Sequence, residues 1–490
     1  MAKNMNSGML GVHLWGMEIG RLCWDSKKRN SYFFFSKEYL DSGMDIAPLI
    51  ASSNDAVAKF AIFGNTDQAK YQKLPPFIAD SLPDDWGNAL FDQWFSDNHF
   101  LETDKTPLAK LSFIGRRAMG ALEFLPCSEE GFNQNEKLLI PELYNIAKKI
   151  EQKREEAVVS TTESLTKKAL IAIGTSAGGR FKKAIISMDA NGNIYSGQTS
   201  ADAERKYYII KFNAPEFCAS EREMAWYELA TRAGITMMPS KLIEVEGIRH
   251  FITERFDRQN GEKLHIQSLA ALNPEAYCYE DLFAVSRRLS IPMDEQNELF
   301  LRMVFNVLSG NTDDHAKNFS FIMNRQGDWH ISPAYDENMI LREGFRAEKE
   351  HRFSIRGKFA DFTLDDLRSF AAENSIKTPD KYIRQVRDAL KDFPSVAAGA
   401  GIAPYFAYVM AERLTELNPG LFEMPSDPSA KRVWVQPTDS GNLHMYAMID
   451  GKKRRKVFTE KNRNFRKVLQ MMNEPLSEDR MSEIIEEFFN

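Results

Sequence analysis

The stretch Gly310-Asn311-Thr312-Asp313-Asp314-His315-Ala316-Lys317-Asn318-Phe319-Ser320-Phe321 constrains this chain more than any other. It follows an apolar, helix-like run from Leu299 to Leu308. After it come an alternating segment that reads as a strand, a turn at Asn324 to Gly327 and a second strand near Trp329 to Ile331. Pro333-Ala334-Tyr335-Asp336 closes the pattern. Unpaired charge is costly in a core, so an apolar element that ends by delivering Asp, His, Lys and Asn together builds a site.

The spacing points to phosphoryl transfer. Protein kinases use a catalytic-loop Asp to accept the substrate hydroxyl proton and an Asn five residues later to hold Mg²⁺. A further Asp beyond a short hairpin holds the metal between the phosphates. Asp313, Asn318 and Asp336 keep that order, step and intervening hairpin. Asp and Asn also build ordinary turns, but a turn does not need the full constellation.

An upstream segment supplies the matching half. Gly174-Thr175-Ser176-Ala177-Gly178-Gly179 lies between two apolar runs, Ala169-Leu170-Ile171 and Ala184-Ile185-Ile186, which predicts strand, glycine loop, strand. Such a loop covers ATP phosphates with backbone N–H groups. It is no Walker A loop, since no Gly-Lys-Ser/Thr opens a helix. Tyr207 to Phe212 then reads as a strand with Lys211 in an apolar run, where a kinase needs a lysine for the phosphates. Residues Glu221 to Ala233 have helical periodicity, and Glu223 sits early enough on that helix to pair with Lys211. A hairpin around Glu246-Gly247 leads to Thr253-Glu254-Arg255-Phe256-Asp257-Arg258, whose Glu254 and Phe256 are candidates to face an adenine ring.

The remaining chain frames these motifs. Residues 1 to about 60 alternate as a small antiparallel sheet, Trp86 to Phe95 reads as an aromatic helix, and Ala118 to Phe124 as a further strand. Pro141 to Glu156 is a helix ending in a mixed charge run, and His13 and His99 read as ordinary histidines. Segment 343–360, with Arg346, Lys349, Arg352, Arg356 and Lys358, is a basic solvated loop where an activation segment belongs. A linker at 417–430 precedes a hairpin around Asp439-Ser440-Gly441-Asn442 and a basic tail. With 490 residues and a net charge of -6, the chain can bury sizeable cores, and its surface as a whole is no nucleic-acid binder. Four scattered cysteines without CxxC spacing, no signal-peptide core and no membrane-length apolar run predict a soluble, cytoplasmic protein.

With these strings in place the sequence resembles a HipA-type serine/threonine kinase, the toxin of bacterial type II toxin–antitoxin systems. Gly310 to Asn318, Thr253 to Arg258, Leu74-Pro75-Pro76-Phe77 to Trp86 and Gly120 to Phe124 carry the resemblance, over roughly residues 10–415. It implies an α+β, protein-kinase-like two-lobed fold with an N-terminal β-rich subdomain and a mostly helical C-lobe; the 431–490 tail, which reads as a small extra C-terminal ββαα module, departs from the family. The expected divisions are 1–156, 157–257 for the small lobe, 258–420 for the large lobe and 421–490 for linker and module. The resemblance implies Asp313 as catalytic base, working with Lys211 and Glu223, and Asn318 and Asp336 as Mg²⁺ ligands. ATP would meet Lys211, the 174–179 loop, Glu254, Phe256, His315 and Lys317. Autophosphorylation would fall on Thr175 or Ser176. Implied partners are a protein substrate such as an aminoacyl-tRNA synthetase and a helix-turn-helix antitoxin that brings the toxin to DNA indirectly, with no membrane. A non-catalytic pseudokinase or a small-molecule kinase on the same scaffold stands as the alternative. Asp336-Glu337-Asn338 replaces Asp-Phe-Gly, so the phenylalanine switch of other kinases does not follow.

Overall fold

Alternating apolar residues pair the start of the chain into β1 (Met9–Leu14), β2 (Met17–Asp25) and β3 (Asn30–Phe35). Leu10, Val12 and Leu14 point inward, as a period of two requires. The computed structural model describes residues 8–65, 67–128, 137–152, 170, 174, 182–197, 202–341, 346–425, 433–438, 441–449, 452–473 and 476–489. Thr175, Ser176, Ala177, Gly178 and Gly179 lie outside them.

The first sheet runs β4-β3-β2-β1-β5, with β4 at Ile62–Phe63 and β5 at Leu122–Leu125. The strand expected from Ala118 starts only at Leu122. Ala118 and Gly120 hydrogen-bond elsewhere: Arg258 donates to both of their carbonyls, and the Gly120 N–H donates to Asp257 Oδ2 at 2.8 Å.

The second sheet has the order β7-β6-β8-β10-β9. Its strands are β6 (Lys183–Met188), β7 (Ile194–Ser196), β8 (Lys206–Lys211), β9 (Ser240–Val245) and β10 (Ile248–Glu254). The expected strand ahead of the glycine loop is corrected here, because Leu170 and Gly174 are helical and the sheet begins with β6. Packing explains why glycine stands at 174. A Cβ there would lie 2.5 Å from Leu90 Cδ1 and 3.1 Å from the Lys183 carbonyl. The aromatic helix Asp85–Asp97 and the helix Ile140–Gln152 pack on this sheet in one cluster with Ile186, Ile210, Phe212 and Ile252.

The short strands β11 (Arg258–Gln259) and β12 (Glu262–Lys263) pair as a ribbon. A further sheet joins β13 (His265–Ser268), β14 (Ser320–Met323) and β15 (Trp329–Ile331), with the turn at Asn324 to Gly327 between the last two. Helices dominate the rest of that region, apart from the described residues between Ile331 and Leu364, none of which is helical, and the Met293–Ser309 helix is buried along most of its length. Two hydrogen bonds from Ser268 to Asp80, at 2.6 and 2.7 Å, dock the N-terminal part against it. Tyr71 OH adds a third, to the Ala270 carbonyl at 2.8 Å.

Among the described residues the C-terminal module contains three strands, one more than expected. β16 (Val433–Pro437), β17 (Leu443–Ile449) and β18 (Lys452–Phe458) form a sheet, followed by helices Phe465–Asn473 and Glu478–Phe489. Lysines and arginines dominate β18, so the apolar alternation that marks a strand is missing from it. Among the described residues no helix is long and apolar enough to cross a membrane.

Candidate active site

Lys211 ends β8, the central strand of the second sheet, opposite Lys183 on β6 and Phe251 on β10. Residues directly opposite across neighbouring strands share a face, so both lysines project from the same side. The helix Ala219–Arg232 crosses that side. Its acids Glu221 and Glu223 are two positions apart and point different ways on a helix. Glu221 pairs with Arg249 at 3.2 Å and accepts from Asn213 Nδ2 at 3.1 Å. Glu223 turns to the Lys211 ammonium.

Lys211 Nζ also donates to Asp336 Oδ1, so the three side chains meet in one half-buried bridge, with Asp336 its most exposed member. Burial disfavours the charge on Lys211, but Asp336 and Glu223 outweigh it and hold its pKa above the ordinary value. Lys211 in turn holds the Asp336 carboxyl down to about 2. Burial raises Glu223 despite its cationic partner. Asp336 has φ +58, a left-handed conformation that costs a non-glycine residue energy and clusters at functional sites. Its neighbour Tyr335 fixes this bend. The Tyr335 hydroxyl donates to the Lys317 carbonyl at 2.7 Å and receives Ser320 Oγ at 2.6 Å.

The polar stretch after Gly310 divides its two aspartates between exposure and burial. Asp314 is buried, and Tyr279 OH and the backbone N–H of Arg352 donate to it, each at 2.8 Å. His351 Nδ1 lies 2.7 Å from the same carboxylate. Asp314 thus anchors the 351–353 segment beneath the site. Asp313 stays 38% exposed, with His315 Nε2 at 4.0 Å and Arg352 Nε at 3.8 Å. Asn318 Nδ2 donates to the Asp313 carbonyl at 2.9 Å, which fixes the loop that carries both. Asn311 Nδ2 bridges Asn306 Oδ1 at 3.0 Å and Glu337 Oε2 at 2.6 Å. Burial pushes the Glu337 carboxyl up to about 7.

The remaining candidates are spread around this centre. Phe256 stacks on Tyr335 with ring centroids 5.9 Å apart, which puts it at the rim beside Asp336. Glu254 Oε1 accepts from Lys206 Nζ at 2.8 Å and Tyr208 OH at 3.3 Å, so it is committed within the second sheet. Lys317 is exposed, and Gly174 is packed under the Asp85–Asp97 helix.

Two groups were not singled out from the sequence. Lys183 is buried, and its pKa is lowered by that burial, with Asp84 opposing and Lys211 adding to the shift. Burial pushes Asp84 up to about 6, against the pull of Lys183 and Lys317. The Trp86 indole N–H, two residues after Asp84, donates to the Lys183 carbonyl at 2.9 Å and holds the two segments together. The double lysine at 182–183 was the available signal for Lys183, and nothing in a lone Leu-Pro-Asp turn marks Asp84.

Among the described residues no group of three or more His, Cys, Asp and Glu side chains forms a metal site of its own. Asp336 Oδ2 and Asn318 Oδ1 make no hydrogen bond among the described residues. One carboxylate and one amide oxygen suit Mg²⁺ carried on a polyphosphate, since that ion keeps waters and phosphate oxygens as most of its ligands.

Two family models match the chain. The model described as the HipA N-terminal domain covers residues 10–125, and that described as the HipA-like C-terminal domain covers residues 175–396. The chain belongs to the HipA family. The serine/threonine-protein kinase toxin HipA of Shewanella oneidensis is 22% identical over 358 residues, 67% of this chain and 74% of that protein. Y4mE of Sinorhizobium fredii, named provisionally as a kinase, is 25% identical over 33% of this chain and 42% of its own length. The match therefore spans less than half of Y4mE. A solved S. oneidensis complex of HipA, HipB and operator DNA contains a chain with TM-score 0.58 and 18% identity, covering 83% of this chain and 95% of that one. That likeness concerns the fold. Neither HipA model extends past residue 396, so the module from Val433 onwards lies outside both.

Proposed function

We propose that this HipA-family protein is an ATP- and Mg²⁺-dependent serine/threonine protein kinase acting as the toxin of a toxin–antitoxin pair. The observation that carries the reading is the Lys211 ammonium held between Glu223 and Asp336, with Asp313 and Asn318 on one fixed loop. In this reading residues 157–257 act as the small lobe and 258–420 as the large lobe, with ATP between them.

Each side chain then has a task. Lys211 grips the nucleotide phosphates while Glu223 keeps it aimed. Asp313 accepts the proton of a substrate Ser or Thr hydroxyl as that oxygen attacks the terminal phosphorus. Asn318 and Asp336 would hold Mg²⁺, which when bound neutralises charge on the phosphate being transferred. Phe256 borders the adenine side, His315 and Lys317 belong to the same nucleotide surface, and Glu254, whose carboxylate is paired with Lys206, would offer its backbone there. Catalysis rests on positioning and charge stabilisation, with little covalent work for the protein.

Family membership supports the partners: a translation component such as an aminoacyl-tRNA synthetase as target, and a helix-turn-helix antitoxin. The Shewanella relative is seen with HipB and operator DNA, which supports DNA contact through such an antitoxin. Thr175 and Ser176 are the proposed sites of self-modification. The test is intact-mass and phosphopeptide analysis of the purified protein with ATP and Mg²⁺, beside Asp313→Asn. Phosphate on Thr175 or Ser176 in the unaltered protein alone is the expected result. ATP binding without phosphate in either sample, and none on any offered protein, contradicts it.

A further inference from the structure

The segment from Lys452 to Lys467 holds nine lysines and arginines and one acid, Glu460. It carries +8 in a chain of net charge -6, so the rest of the chain carries -14. The fold gathers this charge on one border of the C-terminal module. β18 is an edge strand, paired on one side with β17 from Ile449↔Lys452 to Leu443↔Phe458. The turn that follows is tied by Thr459, whose N–H and hydroxyl donate to Asn462 Oδ1 at 2.6 and 2.9 Å. That turn presents Lys461 and Arg463, and Arg466 follows on the next helix.

Arg454, Arg455, Lys461, Arg463 and Arg466 are all exposed, and none forms an ion pair among the described residues. The one acid of the segment is already neutralised, since Glu460 is paired with Lys148 of the helix Ile140–Gln152. Lys467 is taken by Glu487 at 2.5 Å. Five cations are thus left facing solvent along a strand edge and its turn, on a module anchored to the body through Lys148 and through Gln436 Nε2, which donates to Tyr405 OH at 3.1 Å.

The chemistry of the border selects among polyanions. A protein interface needs a buried apolar or aromatic centre, and here Phe458 and Phe465 are buried, so that among the described side chains only Val457 and Met448 are large, apolar and exposed nearby. A single-stranded nucleic acid needs exposed rings on which bases stack. Trp434 is buried and stacked on Tyr446 at 5.1 Å. What remains is charge without rings or apolar anchors, which is the requirement for holding a phosphate backbone. We propose that the basic border formed by β18, its turn and the start of the next helix binds the phosphate backbone of duplex nucleic acid without reading its sequence. This surface is independent of the kinase reading.

The test is fluorescence anisotropy of a labelled 20-base-pair DNA duplex of arbitrary sequence, titrated with the full-length protein at 50, 100 and 200 mM KCl. Neutralising four to five phosphates gives a slope of about -4 in log affinity against log salt, a weakening on the order of a hundredfold across that range. Arg454→Gln with Arg455→Gln is expected to lower affinity at least tenfold and flatten the slope by about two. Lys461→Gln with Arg463→Gln, placed on the turn outside the strand, is expected to do the same and guards against misfolding of the edge. No binding at 50 mM KCl, or unchanged binding by both variant pairs with unchanged thermal midpoints, overturns the proposal. Tighter binding of a single-stranded 20-mer, or competition by polyglutamate equal to that of DNA, overturns it in favour of a single strand or an acidic protein.

Discussion

At the scale of single residues, burial decides what each charged group does. Asp257 is buried between Arg255 and Arg258, with carboxylate contacts at 2.6 and 2.7 Å. Burial alone would raise its carboxyl, yet the two guanidinium groups hold it well below the usual range. Removing one partner of such a buried group leaves uncompensated charge, typically 3–5 kcal/mol. Asp257→Ala should therefore cost about 3–5 kcal/mol in urea unfolding, and a loss under 1 kcal/mol would contradict this account. Asp84 works in the opposite direction. Its carboxyl is pushed up to about 6, above the unfolded value of about 3.9. Its favourable contribution is then complete below about pH 4 and lost as pH rises through 6. Asp84→Asn should raise stability by about 1–2 kcal/mol at pH 7.5, with the gain shrinking below pH 5. Thermal midpoints across pH 4.5 to 8 check both sign and window.

At the scale of elements, Gly310 shows how a helix end opens into the loop that carries the candidate site. It caps Met293–Ser309 with φ +70, and a Cβ there would lie 3.3 Å from Met339 Cε and 3.4 Å from Leu417 Cδ1. A left-handed conformation costs an ordinary residue about 1–2 kcal/mol, so Gly310→Ala should lose about that much stability. Phosphoryl transfer should fall further than folding, because Asn311 to Asn318 start from this cap. Legibility in the sequence also varied by element. The apolar run, the turn at Asn324 to Gly327 and the order of Asp313, Asn318 and Asp336 are local patterns, and their chain positions could be read directly. The division of labour between Asp313 and Asp314 could not, because exposure and burial of adjacent aspartates depend on Tyr279, His351 and Arg352, which lie 34 or more residues away in sequence. For the same reason Thr253 to Arg258 reads as a hinge, whereas Arg255, Asp257 and Arg258 form a structural ion cluster. The helical state of Leu170 was hidden because a short apolar run fits strand and helix alike.

At the scale of the whole molecule, the N-terminal part is joined to the regions it borders by specific hydrogen bonds. Asp80 holds Ser268, Tyr71 reaches Ala270, and Trp86 holds the Lys183 carbonyl beside Lys211. The candidate site is thereby assembled from distant parts of the chain around the half-buried Lys211. In the proposed reaction Lys211, Glu223 and Asp336 act as a unit in phosphoryl transfer. Groups that act as a unit are non-additive when removed together. The direct test is a double-mutant cycle of transfer rate from γ-labelled ATP, using Lys211→Met, Glu223→Gln and both together, with nucleotide affinity measured in parallel. The account predicts that Lys211→Met abolishes most transfer and that adding Glu223→Gln lowers it little further. Strictly additive losses, or a Lys211→Met protein that still transfers phosphate at the unaltered rate, would contradict it.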